Sequence, residues 1–213
     1  IESEGNFEQE RRNKTIITTK ANTLRALHDR VALSIIPSPF VFFVNEWNEN
    51  KEKVIDDIQS NFTPKPIIIR SSPMRENIGN RSKSIESHSI EDVSSSDRSD
   101  INESIRKIVS QYQKEVSNVN SQVLIQQYYK DLIIRGNAFM VDADANTKDF
   151  IISYETSKES AKSGRKEYKT VRTWEDDVPS EIVGIIKALE EVCEVFSSAL
   201  LDIDFAITKN GHM

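Results

Sequence analysis

Apolar positions in this chain fall into two kinds of segment, helically spaced stretches and short uninterrupted runs, that follow one another along the sequence. After the loop-like Thr18-Thr19-Lys20, residues Ala21, Leu24, Leu27, His28 and Val31 fall near helical spacing. Ile35-Ile36-Pro37-Ser38-Pro39 reads as a turn, and Phe40–Val44 as an apolar strand. Glu46–Phe62 predicts one helix, with Trp47, Val54, Ile58 and Phe62 on a common face and Pro64 and Pro66 stopping it. Lys65–Ser72 then gives a run of three isoleucines that ends in Arg70, Ser71 and Ser72, the pattern of a strand buried on both faces.

The stretch from Ser71 to Ser99 is polar and Ser-rich; it reads as a linker or as a binding loop, with Ile85–Val93 as an edge strand. Asp100–Val116 predicts a helix with Asp100 capping and Glu103 three residues on. Val123–Tyr129 is a strand, and Gly136–Val141 and Phe150–Tyr154 form a hairpin across the polar Asp142–Asp149 turn. Thr156–Lys166 is a loop, Lys169–Thr173 a strand, and Ser180–Leu200 a helix whose wide apolar face includes Cys193 as a core residue. Leu201–Ile207 alternates with period two, which places Asp202 and Asp204 on one side of a strand. Lys209-Asn210-Gly211 is a turn signal, so a further strand is expected past Met213.

Composition narrows the class. The chain has 213 residues, 37% hydrophobic and 29% charged, with net charge −6. That length supports one substantial domain or two small lobes, and the acidic balance argues against a general nucleic-acid binder. A single cysteine forms no intrachain disulfide, and no metal-ligand spacing of Cys and His is present. With no apolar run of membrane-spanning length and a charged Ile1–Lys14, a cytoplasmic protein without a membrane partner is expected. The absence of an initial Met leads to the expectation of a fragment or a processed product.

Three places carry candidate chemistry, each with a plain alternative. Arg70 is either a solvated cap on a core strand or a planar donor fork for an anion such as phosphate. Lys20 is either an ordinary solvated lysine or a cation at a helix N-terminus, where backbone N–H groups and the dipole already favour anions. Asp202 and Asp204 are either a polar strand face or, with a cation between them, ligands for Mg²⁺.

Four stretches carry a resemblance. They are Thr19-Lys20-Ala21-x-Thr23-Leu24 with Ile36-Pro37-x-Pro39-Phe40-Val41; Ile68-Ile69-Arg70-Ser71-Ser72; Val123-Leu-Ile-Gln126 with Gly136-Asn-Ala-Phe139-Met-Val-Asp142 and Ile151-Ile-Ser-Tyr154; and Leu201-Asp202-Ile203-Asp204-Phe205-Ala206-Ile207. In this order they resemble the N-terminal nucleotide-binding domain of the phosphoenolpyruvate synthase and pyruvate phosphate dikinase family, of the ATP-grasp group. The loop from Ile152 to Gly164 is nearest to the glutamine-kinase-like enzymes of bacterial surface-polysaccharide phosphoramidate biosynthesis.

The resemblance implies an α+β, ATP-grasp-like fold: two α/β lobes with mixed or antiparallel sheets around a nucleotide cleft. A lead-in of 1–17 would precede a first lobe of 18–116 and a second of 117–213. It implies ATP and Mg²⁺, with Lys20 and Arg70 as catalytic and phosphate-contacting groups, Ser71, Ser72 and Gln126 near the nucleotide, and Asp204 with Asp202 as metal ligands. The partner implied is a phosphohistidine domain of the same full-length protein, which would receive the phosphoryl group. The chain departs from the family after Ser72, where Glu76-Asn77 stands for the usual Glu-Asp and Ser82–Ser89 carries no glycine. A loop without glycine approaches phosphate less freely with its backbone. This departure, and Asp204 where the family usually has Glu, leave a second expectation: a non-catalytic relative acting as an interaction or regulatory module.

Overall fold

The computed structural model describes residues 19–72, 88–115, 121–144, 147–157, 168–196 and 201–211. They belong to two compact units: one of Ile17–His28 and Ile36–Lys130, the other including Asp29–Ile35 and Asp131–Met213.

In the first unit, α1 (Lys20–Leu27) precedes β1 (Phe40–Phe43), α2 (Val44–Glu49), α3 (Lys51–Phe62), β2 (Ile67–Ser72), β3 (Ser89–Val93), α4 (Arg98–Glu115) and β4 (Gln122–Gln127). The sheet order is β1-β4-β2-β3, with every neighbouring pair antiparallel. The helix expected over Glu46–Phe62 is two helices. Asn50 ends the first by donating its N–H to Glu46 O and begins the second by accepting from Lys53 N through its side chain at 3.1 Å. One core gathers Trp47, Val54, Ile55, Ile58 and Phe62 from α2 and α3, and Ile101, Ile105, Ile108 and Val109 from α4. Phe42, Ile67, Ile69, Val123 and Ile125 of the sheet complete it.

Helix α4 starts earlier than Asp100. Asp97 is the cap: its side chain accepts from Ser99 N at 2.8 Å and Asp100 N at 3.3 Å, and its carbonyl accepts from Ile101 N. Asp100 instead accepts from Ser94 N at 2.8 Å, bracing the entry to the helix. Arg98, in the first turn, bonds Glu52 and Asp56 of α3 and donates to Gln59 Oε1 at 3.0 Å. Asp97→Ala is expected to destabilise the first unit by about 1 kcal/mol, since an N-cap oxygen satisfies otherwise orphaned donors. A melting curve superimposable on the wild type would contradict that assignment.

The sequence-based division put β4 in the second lobe. It lies instead in the interior of the first sheet, paired with β1 on one side and β2 on the other, so the boundary falls after Lys130.

In the second unit, β5 (Leu132–Asp144) and β6 (Thr147–Thr156) form a long hairpin. β7 (Lys169–Arg172), a 3-10 turn (Ser180–Ile182), α5 (Val183–Val195) and β8 (Asp202–Thr208) follow. The sheet order is β7-β6-β5-β8, again antiparallel. Ala138, Met140, Phe150, Ile152, Tyr154 and Val171 are buried, as are Ile185, Ala188, Leu189, Val192 and Cys193 of α5, so the cysteine is the core residue expected. Asp29–Ile35 belongs to this unit too, and Glu191 of α5 accepts from the backbone N–H of Ala32 and Leu33 at 2.7 and 2.9 Å. Among the described residues, no helix is long and apolar enough to cross a membrane.

Candidate functional site

Alternation along β2 sorts the Arg-Ser-Ser end into two faces. Ile67 and Ile69 belong to the core under the helices, which puts Ser71 on that side and Ile68, Arg70 and Ser72 on the other. The register extends the second face across the sheet. Ile68 pairs with Gln126, Arg70 with Leu124 and Ser72 with Gln122 on β4, and Val41 and Phe43 of β1 pair with Leu124 and Gln122. Arg70 also lies opposite Ser89 of β3. The guanidinium is therefore carried in mid-sheet, half-buried, by the only charged residue of its strand.

Helix α1 is fastened to this face by two contacts that flank Lys20. Thr19, the N-cap, donates its hydroxyl to Gln122 Oε1 at 2.9 Å, and Ala21 N donates to Ser72 Oγ at 3.1 Å. Thr19 Oγ1 also accepts from Asn22 N at 3.1 Å, and Thr19 O from Thr23 N at 2.9 Å. Lys20 itself is exposed, whereas Thr19 and Ala21 on either side of it are buried. Lys20 and Arg70 thus rise from neighbouring elements of one unit. The reading of Lys20 at a helix N-terminus needs one correction: the amides of Ala21, Asn22 and Thr23 already have acceptors within the protein. The anion attraction on offer is the ammonium's, with little from these N–H groups.

The remaining residues assigned to the nucleotide by resemblance have partners in the fold. Ser71 Oγ accepts from His88 N at 2.9 Å, and Ser71 N donates to His88 O at 2.9 Å, closing the β2–β3 pairing. Ser72 is 0% exposed, its oxygen occupied by Ala21. Gln126 donates from Nε2 to Pro37 O at 3.4 Å, tying the proline turn to β4. Sequence reasoning missed Gln122 altogether, since a glutamine at a strand start carries no signal of its own. Thr19 was findable, as a threonine directly before a helical pattern. The loop positions Glu76, Asn77 and 82–87, and the Ser163-Gly164 stretch, lie outside the described residues.

Asp202 and Asp204 belong to the second unit. Both are exposed on one face of β8, an outer strand, where Asp204 lies opposite Asn137 and Asp202 opposite Phe139 of β5. The same face carries Arg135, directly across from Glu155 and ion-paired to it. Glu155 is buried, so the pair is among the most enclosed charges of this unit. Among the described residues no three His, Cys, Asp or Glu side chains gather to hold a metal by themselves. Two exposed carboxylates fit a hard cation that keeps most of its other ligands as water or phosphate, as Mg²⁺ does.

No protein-family model matches the sequence, and no curated protein does. Solved structures do match by fold. An L-amino acid ligase from Bacillus licheniformis superposes with TM-score 0.51 at 10% identity, over 92% of this chain and 40% of that one. D-alanine–D-alanine ligase from Helicobacter pylori gives 0.43 at 12% identity, over 90% and 50% of the two chains. D-alanyl-alanine synthetase A from Vibrio cholerae gives 0.41 at 17% identity, over 83% and 47%. The chain spans less than two thirds of each of these proteins. Two antiparallel sheets with this helix order, in this likeness, make the fold of the chain an ATP-grasp fold.

Proposed function

We propose that this chain is the ATP-binding domain of a multidomain ATP-dependent phosphotransferase, similar to phosphoenolpyruvate synthase, that phosphorylates a carrier histidine on a separate domain. The observation that carries the reading is the pairing of a mid-sheet Arg70 with a Lys20 whose helix is fastened to the same face. Phosphoryl transfer asks little covalent chemistry of a protein. It asks for positioning and for neutralisation of spreading negative charge. Arg70 supplies a fork for two phosphate oxygens and Lys20 a compact point charge. Asp204, with Asp202, would hold Mg²⁺, which when bound neutralises phosphate charge. The chain as a whole carries net charge −6, so attraction for a polyanion has to come from local cations such as these.

Asp204→Asn is expected to weaken ATP binding in the presence of Mg²⁺ by about tenfold, while leaving Mg²⁺-free binding within about twofold. Calorimetric titration under both conditions reads the difference. Equal loss with and without Mg²⁺ would remove the metal role from Asp204. A second reading, a non-catalytic interaction module, draws support from the glycine-free Ser82–Ser89 stretch. It predicts no phosphoryl transfer to any histidine even where ATP is bound.

A further inference from the structure

The residues most naturally read as phosphate ligands beside Arg70 have another use. We propose that Ser72, together with Gln122, is a positioning residue for Lys20, acting on the nucleotide through the lysine and not by contact. This rests on the ATP-binding reading and specifies how its site is built.

Ser72 has 0% exposure and its oxygen accepts from Ala21 N at 3.1 Å, so a phosphate reaches this hydroxyl only after α1 has left the sheet. Gln122 accepts the Thr19 hydroxyl at 2.9 Å, and Gln122 is the cross-strand partner of Ser72. The two side chains therefore stand side by side at the ends of adjacent strands and grip the residues immediately before and after Lys20. Thr19 spends its oxygen twice, donating to Gln122 and accepting from Asn22 N at 3.1 Å, which joins the clamp to the first helical turn. Ala21 and Leu27 bury their side chains, and Leu124, between Gln122 and Gln126 on the same face, is fully covered.

Lys20 is the residue left exposed at the centre of this clamp. A lysine side chain loses considerable rotamer freedom when it engages an anion. Fixing its backbone beforehand removes part of the ordering cost from binding, which is where preorganisation yields affinity. The clamp sits two residue pairs along the sheet from the Arg70–Leu124 pair, so α1 carries Lys20 on the side of the sheet that carries Arg70.

The test is a double-mutant cycle on the 213-residue chain, with Mg-ATP titrated calorimetrically into wild type, Ser72→Ala, Lys20→Met and the double variant. Ser72→Ala is expected to weaken binding about fivefold when Lys20 is present, the loss of one hydrogen bond's worth of restraint, and to have no further effect beside Lys20→Met. Gln122→Leu is expected to behave in the same way. Equal losses in both backgrounds would overturn the proposal, since Ser72 would then act on the nucleotide or on the fold without Lys20. Amide hydrogen exchange gives an arm that needs no nucleotide. The Ala21 N–H is expected to be protected in the wild type and to exchange faster in Ser72→Ala, and unchanged exchange would overturn the clamp. A wild-type chain that shows no ATP binding defeats the proposed function, and the exchange arm still decides whether the clamp exists.

Discussion

Arg70→Ala is expected to abolish measurable ATP binding, with an affinity loss of about a hundredfold or more. The guanidinium emerges from the middle of a four-stranded sheet, between the Leu124 and Ser89 neighbours of its register, and its backbone is held on both sides by ladder bonds. A fork held in this way binds phosphate oxygens with little further ordering, and charge-assisted pairs of this kind are worth roughly 2–3 kcal/mol. Arg70→Lys is expected to recover only part of the loss, because a lysine ammonium offers a point charge in place of two parallel donors. Calorimetry on variants with wild-type circular dichroism makes the comparison. Unchanged affinity in Arg70→Ala would sink the assignment and return Arg70 to the role of a solvated strand end.

The second large effect is on the fold. Gly136 sits in β5, opposite Tyr154 of β6 and Phe205 of β8. A Cβ built there would run into the Ser153 carbonyl oxygen and lie 2.8 Å from Tyr154 Cα and Cβ. Two of those three atoms are backbone of the neighbouring strand, and Tyr154 is fully buried, its hydroxyl donating to Glu181 at 3.2 Å. Nothing nearby is a flexible side-chain end that can swing away. Gly136→Ala is therefore expected to cost about 3 kcal/mol, an overpacking penalty at the centre of a sheet, and to lower the melting temperature of the second unit by roughly 10 °C. Retention of the wild-type melting temperature would show that the β5–β6 spacing yields to a methyl group. The glycine is there to let two strands close, not to supply an unusual backbone angle.

Much of this architecture is legible in the residues because local signals and tertiary structure agree. The isoleucine run before Arg70 became an interior strand, the Ile182–Phe196 stripe a buried helix face, and the alternation of Asp202 and Asp204 a strand with both carboxylates exposed. Where local signals competed, the prediction slipped. Asn50 lies within an apolar-periodic stretch, and its side chain caps a new helix where periodicity alone continues the old one. Asp97 and Asp100 both offer cap chemistry, and only the surrounding loop decides that the earlier one takes it.

Long-range placement was the least legible. No feature of Gln122–Gln127 says that it inserts between β1 and β2, and none says that Asp29–Ile35 belongs with residues a hundred positions later. The use of Ser72 follows from that placement. A hydroxyl beside an arginine at a strand end looks like an anion ligand until a helix from fifty residues earlier is found docked on it.

On the proposed function, one face of the first sheet, with Arg70 and the clamped Lys20, holds the phosphates of ATP. Parallel calorimetric titrations of the wild-type chain with ATP and with adenosine test it most directly. Saturable one-to-one binding of ATP, at least about a hundredfold tighter than adenosine and lost in Arg70→Ala, is the predicted result. Equal affinity for the two ligands, or no binding of ATP by the folded chain, would contradict it.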